Sequence, residues 1–438
     1  MRGAGLVWDT LDATIVLGQD IIQPALGTLP TANAPHPAPS IQASHGVDHL
    51  RIADRVTQLP PYLFAELERK IEEKRAAGVD VISLGIGDPD LPTPAAVVEE
   101  GQRQLARPDT HQYPSNRGRP AFRQAVADFY RRRFGVEVDP DTEVLPLLGG
   151  KEGVAHICWA MLDPGDVCLA ADPGYPVYTS GTLLCGAEPV LMPLTAEHGF
   201  QPHLDAITAP QRDRANLLFC NYPNNPTGAV IDDDFFERLA RFGLEHQIPI
   251  VHDNAYSEIT FDGYVAPSFL GAPGAKEAGI EMFSLSKAYN MTGWRTGAAV
   301  GNATMIEALL KLKTNIDSGM FEAIQMASVR ALAEGSGVAR EMCEVYRRRR
   351  DLAVAALRAV GIDVAPPRGT MYICVPVPAG HTSVSFTELV LEQAGVVVSP
   401  GSSYGPNGEG YVRISLTLSD ERLREAMQRI EQHLRVTA

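Results

Sequence analysis

The sequence lacks the features that mark membrane, nucleic-acid-binding and disulfide-rich proteins. None of its apolar runs approaches the roughly 18 residues that a membrane span needs. The formal net charge is −15, so we expect no basic surface for nucleic acid. The six cysteines are scattered without a C-x-x-C pair, which favours reduced thiols over a disulfide frame or a zinc site. Acidic residues interrupt the N-terminal apolar stretch, and no clear signal cleavage site follows, so we expect a cytoplasmic protein.

The first 48 residues differ in composition from the rest of the chain. Prolines at positions 30, 35, 37 and 39 punctuate a segment of alanine, threonine, serine and histidine. Such a composition predicts either a flexible extension or a start codon placed too far upstream, with the ordered protein beginning near Arg51. The 438-residue chain is 45% hydrophobic, which is ample for a large core and for two or three domains.

Short apolar runs alternate with helical patterns from residue 63 to about residue 320. The runs at 142–148, 167–170, 215–220, 248–252 and 280–283 read as buried strands. Strands that alternate with helices predict a mostly parallel sheet with right-handed crossovers. Beyond residue 320 the pattern changes to long helices at 321–333 and 338–360, followed by mixed elements. The chain is therefore expected to be an α/β protein with a second, smaller α+β lobe.

Two arginine runs lie within helical patterns, at 131–133 and 347–350. We predict that both runs form solvated helix faces, because charged side chains are seldom buried.

The most informative stretch is Ser284-Leu285-Ser286-Lys287, with Arg295 eight residues after the lysine. A lysine after a strand, flanked by hydroxyls and a guanidinium, can hold an aldehyde cofactor as a Schiff base while its neighbours bind the cofactor's phosphate. The same segment could be a polar transition from strand to loop with a solvated lysine. These residues alone favour neither interpretation.

Other polar groups follow strands, where ligands bind in open α/β sheets. Gly149-Gly150-Lys151 opens a helix, which suits a phosphate, although a plain strand-to-helix turn has the same form. Asp253, with Tyr256 three residues on, could keep a pyridine nitrogen protonated. His252 alternates to the other face of its strand, and we predict a satisfied core histidine there.

Three further segments carry candidate ligand contacts. The turn Asn221–Gly228, rigid through Pro223 and Pro226, can aim an asparagine amide at a cofactor hydroxyl. Tyr175 can stack on a planar ring or simply occupy a turn. Arg413 lies in an apolar strand and needs an anion, which could be a substrate α-carboxylate or a structural salt bridge.

These motifs, in this order from about residue 62 onward, resemble the class I/II aminotransferases of pyridoxal 5'-phosphate (PLP) fold type I. The resemblance implies a large PLP-binding domain whose mostly parallel sheet lies between helices, and a smaller α+β domain. It implies boundaries at 1–48 for the extension, 49–95 for an arm and part of the small domain, 96–318 for the large domain and 319–438 for the small C-terminal domain. It also implies a homodimer with shared active sites and no metal.

The resemblance assigns roles residue by residue. Lys287 is the Schiff-base lysine and proton carrier, Asp253 pairs with the pyridinium, and Arg413 takes the substrate α-carboxylate with help from the backbone at Gly87. The remaining cofactor contacts it implies are Asn225 and Tyr256 at the ring hydroxyl, Tyr175 on the ring face, and Gly150, Lys151, Ser284, Ser286 and Arg295 at the phosphate, with Tyr113 from the partner subunit.

Within this family the segments Leu84–Asp90, Thr110–Ser115 and Tyr289–Arg295 are most similar to the LL-diaminopimelate aminotransferases. That similarity makes Tyr62, Lys151, Asn225 and Asn315 expected substrate contacts. Longer members of this group carry a glutamate just after the tyrosine of the Tyr113 segment, where this chain has Asn116 and Arg117. Another anion, for which Asp317 is a candidate, would have to receive the distal ammonium of the substrate.

The resemblance implies ping-pong transamination, most simply between LL-2,6-diaminopimelate and 2-oxoglutarate in lysine biosynthesis. Alternative activities are an aminotransferase for alanine or another neutral amino acid and a PLP-dependent lyase. A PLP-binding regulator would need a DNA-binding module, and residues 1–50 contain no helix-turn-helix pattern or basic patch.

Overall fold

The computed structural model describes residues 51–59, 65–231 and 234–434. The predicted extension 1–48 and the expected substrate contact Tyr62 lie outside the described residues. The strands are β1 (Ile82–Ser83), β2 (Val144–Leu147), β3 (Val167–Asp172), β4 (Glu188–Pro193), β5 (Ala215–Cys220), β6 (Ile250–Asn254), β7 (Gly279–Ser284), β8 (Gly297–Gly301), β9 (Tyr372–Pro376), β10 (Val396–Val397), β11 (Ser399–Pro400) and β12 (Tyr411–Ser415).

The α-helices of the described residues are α1 (Asp54–Thr57), α2 (Ala65–Ala76), α3 (Ala95–Leu105), α4 (Pro120–Phe134), α5 (Gly150–Met161), α6 (Val177–Leu184), α7 (Ala209–Arg214), α8 (Phe235–His246), α9 (Ala275–Ala278), α10 (Ala303–Lys313), α11 (Glu322–Glu334), α12 (Ser336–Ala359), α13 (Ser383–Ala394) and α14 (Asp420–His433). The sequence pattern places several of them within a few residues. Among the residues described here, no helix is both long and apolar enough to cross a membrane.

A seven-stranded sheet in the order β2-β8-β7-β6-β5-β3-β4 forms the centre of the fold. Strands β3 to β7 are parallel to their neighbours among themselves, and β8 pairs antiparallel with both β2 and β7. The prediction of a mostly parallel sheet is confirmed. The sequence pattern missed β4, which is half exposed at the sheet edge, and β8, whose Gly-Ala-Ala-Val-Gly sequence carries little strand preference.

Both faces of this sheet are buried under helices. Along β6, Ile250 belongs to one hydrophobic core and Val251 to another, because successive side chains of a strand point to opposite faces. Burial on both faces explains why the strands read as continuous apolar runs. The parallel strands all end at one edge, where β6 finishes with Asp253 and Asn254 and β7 finishes with Ser284.

A separate hydrophobic core lies beneath a three-stranded antiparallel sheet, β11-β12-β9. Residues of α12, α13 and α14 fill this core, and β1 joins it by pairing in parallel with β10. The predicted α+β lobe is therefore present, with an N-terminal strand added. Residues from Ile52 onward form one compact unit, so the proposed domain boundaries at residues 95 and 318 stay predictions.

The prediction that both arginine runs are solvated is wrong for Arg349 and Arg350 of the second run, and Arg133 of the first run is half-buried and pairs with Glu258 at 2.6 Å. Arg349 is only 4% exposed and binds Asp90 through two nitrogens, at 2.7 and 2.9 Å, and Asp420 at 2.7 Å. Arg350 is equally buried and binds Asp262 at 2.6 Å. Consecutive helical residues point about 100° apart, so a run of four arginines must turn some of them toward the core.

The buried carboxylate of Glu281 on β7 joins four groups behind the sheet. It accepts hydrogen bonds from the Tyr130 hydroxyl at 2.7 Å, the Asn254 amide at 3.1 Å and the Phe269 backbone at 2.6 Å, and it contacts His252 Nδ1 at 2.9 Å. Burial raises the pKa of Glu281, but these donors outweigh burial and leave the pKa below its ordinary value. His252 is thus a satisfied core histidine, as predicted.

We expect Glu281→Gln to lower the free energy of unfolding by about 2 to 4 kcal/mol at pH 7, because buried donors lose a charged acceptor. The folded-state pKa of Glu281 is depressed, so its stabilisation is present above the unfolded pKa and is lost as the pH falls through the folded value. The difference between wild type and variant should therefore shrink below about pH 4.5. Urea denaturation at several pH values measures it.

The matched control is Glu277→Gln, which changes an exposed glutamate four residues earlier on α9. It should change the unfolding free energy by less than about 0.5 kcal/mol. Equal effects of the two substitutions would contradict the structural importance of the Glu281 network.

Candidate active site

A cavity of about 480 Å³ opens at the carboxyl edge of the central sheet. Its walls come from the sheet edge, from the N-terminal loop 86–88 and from the smaller lobe. They include thirteen residues that the sequence analysis or its resemblance singled out: Gly87, Gly150, Lys151, Tyr175, Asn221, Asn225, Asp253, Tyr256, Ser284, Ser286, Lys287, Arg295 and Arg413. Residues separated by more than 300 positions thus meet in one site.

Lys287 lies three residues beyond the end of β7 and points into this cavity from the sheet edge. Its Nζ donates a hydrogen bond of 2.7 Å to the backbone carbonyl of Gly87. Ser284 and Ser286, which precede it in the chain, are buried, and the backbone N–H of Ser286 donates to the Ser284 hydroxyl at 3.2 Å. The segment is therefore an ordered turn at the cavity wall, and the interpretation as a solvated loop is wrong.

An anion cradle lies beside Lys287, formed by the first turn of α5 and by Arg295. Gly149 precedes the helix with φ of 87°, and a Cβ there would lie 2.6 Å from Nη2 of Arg295. Only glycine permits this close approach of guanidinium and backbone. The helix N-terminus, Lys151 and Arg295 together concentrate positive charge at one end of the cavity, which suits a phosphate.

Asp253 provides a buried carboxylate at the end of β6. Burial raises the pKa of Asp253 to about 6, while a 2.9 Å hydrogen bond from the Tyr178 hydroxyl lowers it. The Asn221 amide donates to the backbone carbonyl of Asp253 at 2.6 Å and ties β6 to the loop after β5. A buried carboxylate beside a cavity suits a cationic partner, such as a protonated ring nitrogen.

Arg413 on β12 forms a clamp at another wall of the cavity. It donates to the Asn225 side-chain oxygen at 2.9 Å and to the Gly85 carbonyl at 2.7 Å, and its guanidinium lies 4.0 Å from the centre of the Tyr372 ring. No carboxylate contacts Arg413 among the residues the structure describes, and its buried Nε has no hydrogen-bond partner there. A structural salt bridge is thereby excluded within these residues, and a carboxylate ligand would complete the site.

Tyr175 and Tyr256 line the cavity between the cradle and the clamp. Burial, reinforced by Asp253 and Tyr372, raises the pKa of Tyr175 to about 12. Tyr256 is buried as well, and its hydroxyl lies 3.5 Å from that of Tyr372. Both phenols therefore stay neutral near pH 7 and can act as hydrogen-bond donors or packing faces.

Three tyrosines at the site escaped the sequence analysis. Tyr178 bonds to Asp253, while Tyr372 and Tyr404 cover the guanidinium of Arg413, at 4.0 and 4.8 Å. Tyr372 stands in an apolar strand and reads as an ordinary core residue. Tyr178 follows Tyr175 by three positions, and this closeness to a candidate ring contact was the available signal.

Two predicted contacts lie away from the cavity of their own chain. Tyr113 is 89% exposed, and exposed Asn315 donates to the backbone carbonyl of Lys311 at 2.8 Å. Asp317, the candidate anion for a distal ammonium, instead pairs with buried Lys313 at 2.9 Å. The same ammonium lies 2.8 Å from Glu152, so Lys313 pairs with both carboxylates of a cluster of Glu152, His156 and Asp317 that has the spacing of metal ligands.

Comparison with known proteins agrees with this geometry. The family model for aminotransferase class I and II matches residues 79–430. The chain is 57% identical to the LL-diaminopimelate aminotransferase of Desulforudis audaxviator, over 86% of this chain and 96% of that protein. It is 54% identical to the enzyme of the same name from Moorella thermoacetica, over 87% and 98% of the two chains.

Solved structures are similar over nearly their full length. Substrate-bound BacF from Bacillus subtilis superposes with a TM-score of 0.84 at 38% identity, over 87% of this chain and 98% of that one. A Thermus thermophilus aspartate aminotransferase mutant gives 0.81 at 32% identity, over 87% and 99%. The chain belongs to the class I and II aminotransferase family.

Proposed function

We propose that this aminotransferase uses PLP and transfers the α-amino group of LL-2,6-diaminopimelate to 2-oxoglutarate. The single observation that carries the cofactor assignment is the chemistry of the donor set. One cavity contains a lysine, a buried carboxylate and an anion cradle. In the cradle, Arg295 lies so close to Gly149 that a Cβ would not fit at that position. PLP presents an aldehyde, a ring nitrogen and a phosphate, which match these three groups.

The residues that would hold the cofactor follow from this match. Lys287 would bond to the aldehyde, and Asp253 would pair with the ring nitrogen. The remaining contacts are Tyr175 on the ring face, Asn225 and Tyr256 at the ring hydroxyl, and Gly150, Lys151, Ser284, Ser286 and Arg295 at the phosphate. When bound, PLP supplies an electron sink for the electron pair that remains when the α-proton leaves.

The protein's own contribution is to position the amino acid and move the proton. Arg413 binds the α-carboxylate with its planar fork, and the aromatic rings of Tyr372 and Tyr404 hold that fork in place. Lys287 lines the cavity and would be the base that takes the α-proton and returns it. Release of the first oxo acid before the second enters gives ping-pong kinetics.

The substrate assignment rests on the relatives. Two proteins named LL-diaminopimelate aminotransferase share 57% and 54% identity with this chain over almost their whole length. The corresponding substrate contacts are Arg413, Gly87, Asn225 and Lys151, with Tyr62 and Asn315 as further predictions. A place in lysine biosynthesis follows from that substrate.

Alanine or another neutral amino acid is the second candidate donor. The observation in its favour is the absence of the glutamate expected after the segment of Tyr113. Arg117 stands there instead, and it donates to the Asp141 carbonyl at 2.8 Å and to Glu307 at 2.5 Å. A distal ammonium would therefore need a different anion from the one used by similar enzymes.

A homodimer with shared active sites completes the proposal. Tyr113 and Asn315 are both exposed, and neither lines the cavity of its own chain. Their segments are neighbours, because a Cβ on Gly319 would lie 3.1 Å from the carbonyl oxygen of Ser115. Both segments therefore lie on one surface, and we assign this surface to the interface of a twofold dimer. The cytoplasmic location expected from the sequence stays a prediction.

Lys287→Ala should abolish covalent retention of PLP. Borohydride reduction of wild type loaded with PLP should add the mass of the reduced cofactor to the peptide containing Lys287, as peptide mass spectrometry would detect. The control Lys276→Ala removes a lysine of α9 that lies outside the cavity and pairs with Glu143. Labelling that survives Lys287→Ala and maps to another lysine would overturn the assignment.

Donor profiling with 2-oxoglutarate should identify LL-diaminopimelate as the preferred donor. We expect its kcat/KM to exceed that of alanine by at least about 100-fold, since a site built for distal polar groups leaves them unpaired with alanine. Glutamate formation measures both reactions. Equal or greater turnover of alanine would refute the substrate assignment while leaving the aminotransferase assignment intact.

Mixed dimers should reveal whether Tyr113 acts in the neighbouring subunit. Lys287→Ala and Tyr113→Ala subunits, each nearly inactive alone, should regain about one quarter of wild-type activity after unfolding and refolding as an equal mixture, because half of the dimers contain one intact site. Co-refolding each variant with itself is the control. A mixture no more active than its parts would show that Tyr113 does not contribute across the interface.

A further inference from the structure

Tyr178 is a buried residue near the start of α6 whose hydroxyl reaches the cavity wall from behind. It donates a hydrogen bond of 2.9 Å to Oδ2 of Asp253. Its ring is stacked on Phe219 of β5, with centroids 4.8 Å apart and planes 10° apart, and the ring of Tyr175 is nearly perpendicular to it, with centroids 5.9 Å apart. Packing against these two rings therefore holds the Tyr178 ring while its hydroxyl points at the carboxylate.

This hydrogen bond gives the two carboxylate oxygens of Asp253 different partners. Among the described parts of the chain, Tyr178 is the one side chain that donates to the carboxylate of Asp253. It occupies Oδ2, while Asp253 also lines the cavity. A carboxylate held at one oxygen has its plane set, so its other oxygen is available to a ligand in a defined direction.

We propose that Tyr178 is a positioning residue that fixes the Asp253 carboxylate and stabilises its charged form opposite the ring nitrogen of PLP. The inference rests on the proposed cofactor and adds a group that does not itself touch it. The physical reason is that a hydrogen bond to a charged acceptor favours the charged state, most strongly where water is excluded.

Of the groups around Asp253, Tyr178 is best placed to stabilise the charged carboxylate. Those that act on its charge or share its cavity are His252 on β6, Cys220 on β5, Tyr256, Tyr175 and, across the cavity, Lys287, Arg295 and Arg413. His252 faces Glu281 behind the sheet, and the cations lie at the cradle and the clamp. Burial raises the pKa of Asp253, and the Tyr178 hydroxyl is the leading influence that lowers it.

The chain contains a matched control for removing this hydroxyl. Tyr130 is also fully buried, and its hydroxyl donates to a buried carboxylate, Glu281, at 2.7 Å. Glu281 lies on β7 and bonds to His252, on the face of the sheet away from Asp253. Tyr130→Phe and Tyr178→Phe therefore each remove a hydrogen bond from a tyrosine hydroxyl to a buried carboxylate. Only the carboxylate bound by Tyr178 lines the cavity.

The experiment compares these two variants with wild type after removal of the cofactor. PLP is titrated into each protein, and its dissociation constant is measured by quenching of protein fluorescence. The ¹⁵N shift of PLP labelled at the ring nitrogen then reports whether that nitrogen is protonated. Tyr178→Phe should weaken PLP binding about tenfold and move the ¹⁵N shift toward the unprotonated form. Tyr130→Phe should lower thermal stability and leave both quantities unchanged.

A double-mutant cycle with Asp253→Asn separates positioning from general damage. If Tyr178 acts through Asp253, adding Tyr178→Phe to Asp253→Asn should weaken PLP binding by less than twofold further. Additive losses, or a Tyr178→Phe variant that behaves like Tyr130→Phe, would overturn the inference. Wild type that fails to bind PLP would overturn the proposed cofactor and this inference with it, whereas normal wild-type binding with unchanged Tyr178→Phe would overturn the inference alone.

Discussion

A buried carboxylate and a buried guanidinium face the same cavity, and neither neutralises the other. Asp253 is held by Tyr178, and Arg413 is held by Asn225 and the Gly85 carbonyl. Charges removed from water require partners of opposite sign, so this arrangement demands a ligand with a cationic and an anionic part. The rest of the structure serves to keep these two charges apart and fixed.

Strand alternation separates stability from chemistry along β6. Asp253 faces the cavity, while its neighbours His252 and Asn254 face the Glu281 network behind the sheet. The network joins β6 to β7 and to Tyr130 of α4, so it contributes to the stability of the sheet on the face away from the cavity. The carboxylates of Asp253 and Glu281 thus have different functions, because they lie on opposite faces of the sheet.

The clamp side of the site depends on the second core. Arg413 lies on β12, and the loop that accepts its hydrogen bond continues from β1, which pairs with β10. Buried Arg349 joins this loop at Asp90 to Asp420 at the start of α14. The carbonyl of Gly87, which accepts the bond from Lys287, is therefore positioned by contacts far from the cavity.

Much of the fold could be predicted from the sequence, because buried parallel strands read as apolar runs and because the ordered motifs at Lys287, Asp253 and Arg413 follow strands. The pattern failed where local preference was weak, as in the small residues of β8, and where helix geometry turned Arg349 and Arg350 inward. The tyrosines at 178, 372 and 404 escaped because an aromatic in an apolar stretch looks like core until its hydroxyl or ring is seen beside a charge.

The sequence by itself determined which chemical groups are present, their order along the chain and the family to which they point. Only the tertiary structure decided which of them meet, since side chains separated by hundreds of residues face one cavity through packing and strand register. It also decided that Tyr113 and Asn315 lie outside the cavity of their own chain, because exposure depends on what surrounds a residue and not on its type.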